Sequence, residues 1–354
     1  MKIFFYTLRP WDERPCAERL AAETGIAFDG CEAYPTLENA ALAAGCDAVS
    51  MTPCDMGPDM VRRFHELGVK YLCCRSIGYD HVDRQTAREL GMRVSNVDYP
   101  PRGVANFAIM LMMMSLRRVG HILKRGEVQD YSLQGKIGRD LSGCTVGVIG
   151  TGHIGRTVLE HLSGFGCRLL AYDLYPSQEA ARWAEYVDFD TLCAESDVIT
   201  LHTNATAQNH HLIDEAALAK MKDGVVIVNT ARGSLIDSGA LIAALESGRV
   251  GAAALDVLEN ENGLYYYNRA GDPIANPELA LLRSFPNVLL TCHTAFYTDE
   301  DVESMVRGVF ESAAAFGQGQ PTRHDVSLAL PDCQKSPVQP TCADGRDTYR
   351  EIER

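Results

Sequence analysis

Three side chains with acid–base or carboxylate-binding chemistry follow apolar, strand-like runs in the second half of this 354-residue chain. They are Arg232 after residues 225–229, Glu261 after residues 251–255 and His293 after residues 288–291. An arginine can hold a carboxylate through two hydrogen bonds and polarise a neighbouring carbonyl. A histidine can exchange a proton with an alkoxide, and a nearby glutamate would favour its charged form and fix its orientation. The set predicts chemistry on a 2-oxo or 2-hydroxy acid, although each residue alone also has an ordinary structural interpretation.

A glycine-rich motif upstream predicts the cofactor. The strand-like run 146–149 leads into Gly-x-Gly-x-x-Gly at Gly150, Gly152 and Gly155, and a helix-like segment follows. This is the dinucleotide-binding fingerprint, whose glycines permit a tight turn, a close approach of the pyrophosphate and close helix packing. A second predicted strand ends at Asp173, whose carboxylate would bind ribose hydroxyls and repel a 2′-phosphate. The motif therefore favours NAD over NADP.

The chemistry requires a sheet whose parallel strands end at one edge. Continuous apolar runs predict such a sheet in the second half, covered by helices on both faces. The first 97 residues also alternate strand-like and helix-like runs, which predicts a smaller parallel α/β domain. The predicted strands there are 3–7, 48–51, 71–75 and 93–97, and the predicted helices are 16–23, 37–44, 59–67 and 84–90.

Three segments have other predicted roles. Pro100 and Pro101 follow Tyr99 between the two halves and predict a hinge, because proline cannot continue a strand and is favoured at a helix start. Residues 260–287 are predicted to form a long irregular loop, a kind of segment that is usually functional. A helix is predicted over 299–317, and the segment after it is rich in Gly, Pro, Gln and charge, which predicts a tail.

Composition excludes several classes of protein. A net charge of −14 argues against nucleic acid or an anionic membrane as partner. The apolar run 104–116 is too short to span a bilayer and predicts a buried helix or a subunit interface. The 12 cysteines are scattered and form no Cys-x-x-Cys pair, so neither a metal site nor a redox motif is predicted. The chain opens on a strand-like run rather than a signal-peptide pattern, and reduced thiols in the cytoplasm are the expectation.

Several longer motifs resemble the D-2-hydroxyacid dehydrogenases, and within them most the D-lactate dehydrogenases, including the type found in vancomycin-resistance clusters. The similarity covers roughly residues 60–317. The motifs that carry it are residues 75–78, 96–99, 150–155, 164–167, 229–233, 253–261 and 286–298.

The resemblance implies a role for individual residues. The catalytic arginine, glutamate and histidine of the family fall on Arg232, Glu261 and His293. Implied substrate contacts are Ser76, Ile77, Gly78, Tyr99 and Phe296, of which Ile77 and Gly78 would bind the carboxylate through backbone amides. Implied cofactor contacts are Gly150, Gly152, His153, Ile154, Gly155, Asp173, Thr203, Asn204, Asn209, Thr230, Ala231, Arg232 and Asp256.

The resemblance also implies an architecture. It is an α/β fold in which a Rossmann-type, doubly wound parallel sheet is inserted into a smaller, flavodoxin-like α/β substrate domain. The expected limits are residues 1–98 plus 298–330 for the substrate domain, 99–297 for the NAD-binding domain and 331–354 for the tail. The last helix is expected to pack on the first domain, and the helix after Tyr99 is expected at a homodimer interface.

The predicted activity is NAD-dependent, stereospecific reduction of a small 2-oxo acid, pyruvate to D-lactate, without a metal. Two alternatives stay open from the sequence. One is a reductase of larger, branched or aromatic 2-oxo acids, because a hydrophobic pocket discriminates by only about 1–3 kcal/mol per methylene. The other is an NAD(H)-sensing protein similar to a transcriptional corepressor.

Overall fold

Two parallel β-sheets, each covered by helices on both faces, make up the protein. The computed structural model describes residues 1–261 and 263–327, so the predicted tail at 331–354 lies outside the described residues. The predicted α/β class with two sheets is confirmed. No helix in the described residues is long and apolar enough to cross a membrane.

The first sheet has five strands in the order β2-β1-β3-β4-β5, which is the flavodoxin-like order. The strands are β1 (Lys2–Phe5), β2 (Ala27–Gly30), β3 (Ala48–Met51), β4 (Tyr71–Cys74) and β5 (Arg93–Ser95). The helices around it are α1 (Glu13–Thr24), α2 (Pro58–Glu66), α3 (Arg84–Glu89) and, from the end of the chain, α11 (Asp299–Gly317). Every pairing is parallel.

The second sheet has seven parallel strands in the order β12-β11-β10-β9-β6-β7-β8. The strands are β6 (Thr145–Ile149), β7 (Arg168–Tyr172), β8 (Glu185–Tyr186), β9 (Val198–Leu201), β10 (Val225–Asn229), β11 (Val250–Leu255) and β12 (Val288–Leu290). The order is the Rossmann one with a seventh strand added. The order in which successive strands are added to the sheet reverses between β6 and β9. Ligands bind at such a switch point, beyond the carboxyl ends of the strands.

Seven helices belong to this second half. They are α4 (Arg102–Leu116), α5 (Val119–Glu127), α6 (His153–Leu162), α7 (Phe189–Glu195), α8 (Glu215–Lys220), α9 (Ser238–Glu246) and α10 (Pro277–Leu282). Aspartates cap α7, α8 and α9 by accepting hydrogen bonds from backbone amides in the first turn. Burial of both sheet faces explains the apolar strands: all five residues of β10 are buried.

The chain crosses between the two sheets twice. The first crossing, through the Pro100-Pro101 pair, leads into α4, which packs with α6 on the second sheet. The second crossing leads into α11, whose Val306 and Phe310 pack against the first sheet, as expected. This arrangement supports the domain limits at 98/99 and 297/298, which stay a prediction.

Several parts of the chain differ from the predicted elements. Strands β2 and β8 and helices α5 and α7 were not predicted. The helix predicted over 37–44 is wrong, because only a short 3-10 turn forms at Ala40–Ala43. Thr36 and Asn39 exchange side-chain-to-backbone hydrogen bonds there, which compete with a regular helix. The segment 260–287 is not wholly irregular, because it contains α10, whose N-cap is Asn276.

A buried ion pair fixes the loop that follows β4. Arg75 is fully buried, and its Nε donates to Glu13 Oε1 at 3.0 Å. Its other nitrogens donate to the carbonyl oxygens of Tyr6 and Thr7 and to the hydroxyls of Thr7 and Ser50. Burying two charges is costly, so this pair depends on the full set of hydrogen bonds. Residues 76–78, which follow directly, are thereby anchored to the first sheet.

We predict that Arg75→Met lowers the free energy of unfolding by about 3–5 kcal/mol, because it leaves the Glu13 carboxylate buried without its main partner. Urea titration of the purified variant measures this. The double variant Arg75→Met/Glu13→Met should lose less than the sum of the two single losses, because the two side chains interact directly. A loss below about 1 kcal/mol for the single variant, the size of an exposed pair, would contradict the role given to Arg75.

Candidate active site

A cavity of about 1210 Å³ lies where the carboxyl ends of both sheets face each other. Residues from the two halves of the chain line it. Of the predicted site residues, those that line the cavity are Ser76, Ile77, Gly78, Tyr99, Ile154, Thr203, Asn204, Thr230, Ala231, Arg232, Asp256, His293 and Phe296. The structure therefore brings the predicted substrate contacts and half of the predicted cofactor contacts to one place.

The glycine-rich turn has the shape that a dinucleotide requires. Gly150 has φ of +91°, and a Cβ there would lie 2.7 Å from the backbone at His202 and Thr203. A Cβ on Gly155 would lie 1.9 Å from the Gly150 carbonyl oxygen, so α6 approaches β6 as only glycine allows. Gly152, at the start of α6, has open space around it. The free amides of the α6 N-terminus thus suit a pyrophosphate, and the turn fits NAD.

Asp173 lies at the end of β7 beside this turn. Its Oδ2 accepts a hydrogen bond from the Thr151 amide at 2.6 Å, and its Oδ1 accepts one from the Tyr175 amide at 2.8 Å. The carboxylate is therefore held next to the glycine-rich turn. Its role in binding the adenosine ribose stays a prediction.

Glu261 and His293 form a direct pair. The distance between Glu261 Oε1 and His293 Nδ1 is 2.6 Å, and Glu261 Oε2 accepts the Leu258 amide at 2.8 Å. Since a carboxylate only accepts hydrogen bonds, Nδ1 carries the proton and Nε2 is the nitrogen that can exchange a proton with a ligand. His293 has φ of +54°, an uncommon conformation for a non-glycine residue and one often found at functional sites.

The buried carboxylate of Asp256 sustains this backbone conformation. Its two oxygens accept the amides of Thr294 and Ala295, each at 2.9 Å, and the Thr291 hydroxyl also donates to it. The His293 amide donates to the Asp256 carbonyl oxygen at 2.7 Å. Asp256 thus fixes the backbone of residues 293–295, the loop that carries His293. The sequence predicted it only as a cofactor contact, a role that stays a prediction.

The turn after β10 places Arg232. The Asn229 side chain closes this turn by accepting the Ala231 amide at 3.0 Å and donating to the Arg232 carbonyl oxygen at 2.8 Å. The guanidinium then crosses the cleft to the first half of the chain. A Cβ on Gly78 would lie 1.5 Å from Arg232 Nη2, so a side chain at position 78 would displace the guanidinium from this place.

The loop at residues 76–78 offers backbone amides beside that guanidinium. Asn96 Nδ2 donates to the Ile77 carbonyl at 2.8 Å, and Ser76 Oγ donates to the Gly78 carbonyl at 2.6 Å. Among the described residues, no acceptor is bonded to the amides of Ile77 and Gly78. Two amides and a guanidinium together suit a carboxylate.

Aromatic rings surround the histidine. The Phe296 ring lies 6.4 Å from the His293 ring, and the Tyr266 ring lies 5.8 Å from it, between ring centroids. Tyr266 also donates its hydroxyl to the His293 carbonyl at 3.0 Å. Tyr99 packs 6.5 Å from Phe296. Burial raises the pKa of both tyrosines, so they stay neutral hydrogen-bond donors.

Some predicted residues lie outside the cavity wall. They are Gly150, Gly152, His153, Gly155, Asp173, Asn209 and Glu261. Asn209 supports the wall, because its side chain accepts the Thr206 amide and donates to the Asn204 carbonyl. Sequence reasoning missed Asn96 as a support of the site. The sequence does predict that the three consecutive tyrosines at residues 265–267 bound a small pocket, and all three line the cavity.

The class of protein that this fold defines is an NAD-dependent oxidoreductase. The chain belongs to the D-isomer specific 2-hydroxyacid dehydrogenase family, because residues 109–295 match the NAD-binding domain of that family. NAD is accordingly its cofactor.

Two relatives and one solved structure indicate the range of the family around this chain. It is 40% identical to the aromatic 2-oxoacid reductase of Clostridium sporogenes, covering 86% of this chain and 93% of that one. It is 39% identical to the D-lactate dehydrogenase of Escherichia coli, covering 90% and 98%. The apo structure of D-lactate dehydrogenase from Escherichia coli superposes with a TM-score of 0.81 at 37% identity, covering 92% of this chain and all of that one.

We predict that Glu261→Gln lowers kcat by about 10- to 100-fold, because a neutral amide stabilises the imidazolium less and no longer fixes Nδ1 as the protonated nitrogen. Steady-state kinetics with NADH and a 2-oxo acid measure kcat, and fluorescence titration should show NADH affinity unchanged. The matched control is Glu246→Gln on the exposed end of α9, which should behave as the unaltered protein. Equal kcat for the Glu261 and Glu246 variants would contradict the proposed pairing.

Proposed function

We propose that this protein reduces pyruvate to D-lactate with NADH, and runs the reverse reaction when D-lactate is in excess. The observation that carries the proposal is the cleft in which the Arg232 guanidinium, the free amides of Ile77 and Gly78, and the Glu261–His293 pair come together. The cleft suits an anionic 2-oxo acid whose carbonyl points at the imidazole.

Each group has a distinct proposed role. The amides of Ile77 and Gly78 and the guanidinium of Arg232 bind the substrate carboxylate, and Arg232 also polarises the carbonyl. His293 donates the proton from Nε2 to the carbonyl oxygen, and Glu261 stabilises the charged imidazole before that transfer. NADH supplies the hydride that adds to the carbonyl carbon.

The remaining predicted contacts position the 2-oxo acid and NADH relative to each other. We propose that Ser76, Tyr99 and Phe296 shape the substrate side of the cavity. The other predicted contacts bind NAD along its length, from the adenosine ribose through the pyrophosphate to the nicotinamide. They are Gly150, Gly152, His153, Ile154, Gly155, Asp173, Thr203, Asn204, Asn209, Thr230, Ala231 and Asp256. A fixed carboxylate and a fixed nicotinamide present one face of the carbonyl, which accounts for a single stereoisomer of product.

The substrate side favours a small molecule. Phe296 and Tyr266 lie beside the His293 ring, and Tyr99 packs on Phe296, with centroid separations of 5.8–6.5 Å. We propose that these rings leave space for a small substrate side chain. The second candidate is an aromatic 2-oxo acid, because the relative from Clostridium sporogenes carries that activity in its name. The relatives are enzymes, which favours a reductase over the corepressor-like alternative.

We predict a higher kcat/KM for pyruvate than for 2-oxoisocaproate or phenylpyruvate, measured by NADH oxidation with chiral analysis of the product. Phe296→Ala should shift the ratio between phenylpyruvate and pyruvate at least tenfold toward phenylpyruvate, because it removes the ring that closes the short side of the pocket. The control Phe165→Ala, in a 3-10 turn away from the cavity, should leave the ratio unchanged. A wild-type preference for phenylpyruvate would favour the second candidate, and L-lactate as product would contradict the proposal.

We further propose that the protein is a cytoplasmic homodimer. In α5 no residue is buried, and apolar side chains are exposed from the end of α4 onward. Val128 is 70%, Tyr131 78%, Leu133 88% and Ile137 84% exposed. Several exposed apolar side chains this close together in the chain favour a protein interface. All ten cysteines among the described residues are free thiols, which suits a reducing compartment.

The dimer can be tested by sedimentation. We predict twice the 38.8 kDa mass of the chain for the unaltered protein and the single mass for Leu133→Asp/Ile137→Asp, because buried carboxylates oppose association. Leu42→Asp, at an exposed position of the first half, should remain a dimer. A monomeric unaltered protein, or a double variant that stays dimeric, would contradict this interface.

A further inference from the structure

An ion pair bridges the two halves of the chain beside the active site. Asp80 lies in the loop after β4 of the first sheet, and Arg232 lies in the turn after β10 of the second. Asp80 Oδ1 accepts hydrogen bonds from Arg232 Nη2 at 3.3 Å and Nε at 3.4 Å. Asp80 belongs neither to the glycine-rich motif nor to the predicted catalytic set. Its carboxylate nevertheless contacts Arg232, which would bind the substrate.

Hydrogen bonds from three nitrogens orient the Arg232 guanidinium. Its Nη1 donates to the Ala231 carbonyl at 2.8 Å, while Nε and Nη2 face Asp80. The Gly78 backbone lies against the same group, and a Cβ on Gly78 would also lie 3.0 Å from Asp80 Oδ1. Gly78, Asp80 and the guanidinium therefore form a compact cluster. In it, the arginine is held beside the amides of the 76–78 loop.

The charged side chain that contacts Asp80 is that of Arg232. Partial desolvation in the cleft raises the pKa of Asp80, but the charge of Arg232 and the hydrogen bonds to the carboxylate outweigh it, and the net pKa is lowered. The neighbouring His81 has its pKa lowered to about 4 by burial, so it is neutral at physiological pH. The Asp80 carboxylate thus stays ionised and acts on Arg232.

We propose that Asp80 is a positioning residue, which holds Arg232 against Gly78 so that donors from both sheets converge on one substrate carboxylate. Asp80 does not itself bind the substrate, because two carboxylates repel each other. An exposed ion pair contributes little to stability, and the Asp80 side chain is 55% exposed. A misplacement of about 1 Å in a substrate-binding group costs up to about 100-fold in rate. Loss of the pair should therefore lower kcat/KM for the 2-oxo acid far more than it lowers the stability of the fold.

The inference rests on the proposed function, and a double-mutant cycle tests it in the full-length protein. The variants are Asp80→Ala, Arg232→Ala and the double variant, with Asp80→Asn as the conservative replacement. The matched control is Asp59→Asn on α2, an exposed aspartate whose side chain makes no ion pair within the described residues. The readouts are kcat and KM for the 2-oxo acid, KM for NADH and the melting temperature.

We expect Asp80→Ala to lower kcat/KM for the 2-oxo acid by about 10- to 100-fold, mainly through KM, with KM for NADH unchanged. Asp80→Asn should recover part of the loss, because its amide oxygen still accepts from the guanidinium. In the Arg232→Ala background, Asp80→Ala should change kcat/KM by less than about twofold, because a residue that acts only through Arg232 has nothing left to position.

Three outcomes would overturn the role of Asp80. One is an equal loss in both backgrounds. Another is a lower KM for both Asp80 variants, which would mean that the carboxylate only repels the substrate. The third is a loss of melting temperature that accounts for the lost activity. A wild-type protein inactive on every 2-oxo acid would instead contradict the proposed function, so the two failures are distinguishable.

Discussion

The close approach of the Arg232 guanidinium to the Gly78 backbone is the constraint on which the site depends. It joins the carboxyl ends of two sheets that fold around separate cores, and a side chain at position 78 would displace the guanidinium. A parallel sheet collects its strand ends at one edge, but one sheet alone presents its donors to open solvent. Two facing edges enclose a cleft in which a small anion can meet both sets of donors.

Buried polar side chains set the geometry of the loops that carry the chemistry. Asp256 holds the histidine loop, Asn229 closes the turn before Arg232, and Arg75 anchors the residues before Gly78. Each is 1% exposed or less. Such groups are costly to bury unless every polar atom is bonded, and once bonded they allow few alternative loop conformations. The proposed catalytic side chains are therefore held by rigid neighbours, as catalytic groups require.

Much of this arrangement follows from the sequence. Continuous apolar runs gave the strands of both sheets, and the glycine spacing located the nucleotide turn, because each depends on residues near in sequence. The pairing of Glu261 with His293 was also expected. The edge strand β2 escaped prediction, since its half-exposed residues lack a clear pattern. The contact of Asp80 with Arg232 spans 152 positions, and no local pattern encodes it. Likewise, Tyr266 reaches the histidine only through tertiary packing.

The double crossing between the sheets has a mechanical consequence. Two covalent links, one through the proline pair and one through Tyr297 and Thr298, allow the halves to rotate about the line that joins them, and they resist sliding and twisting. Tyr99 and Phe296 pack 6.5 Å apart, one beside each link. The rotation axis therefore passes close to the aromatic wall of the cleft. A small rotation of one half about this axis would displace the parts of the cleft far from the axis by a large distance. The residues near the axis, around the reacting centre, would move little.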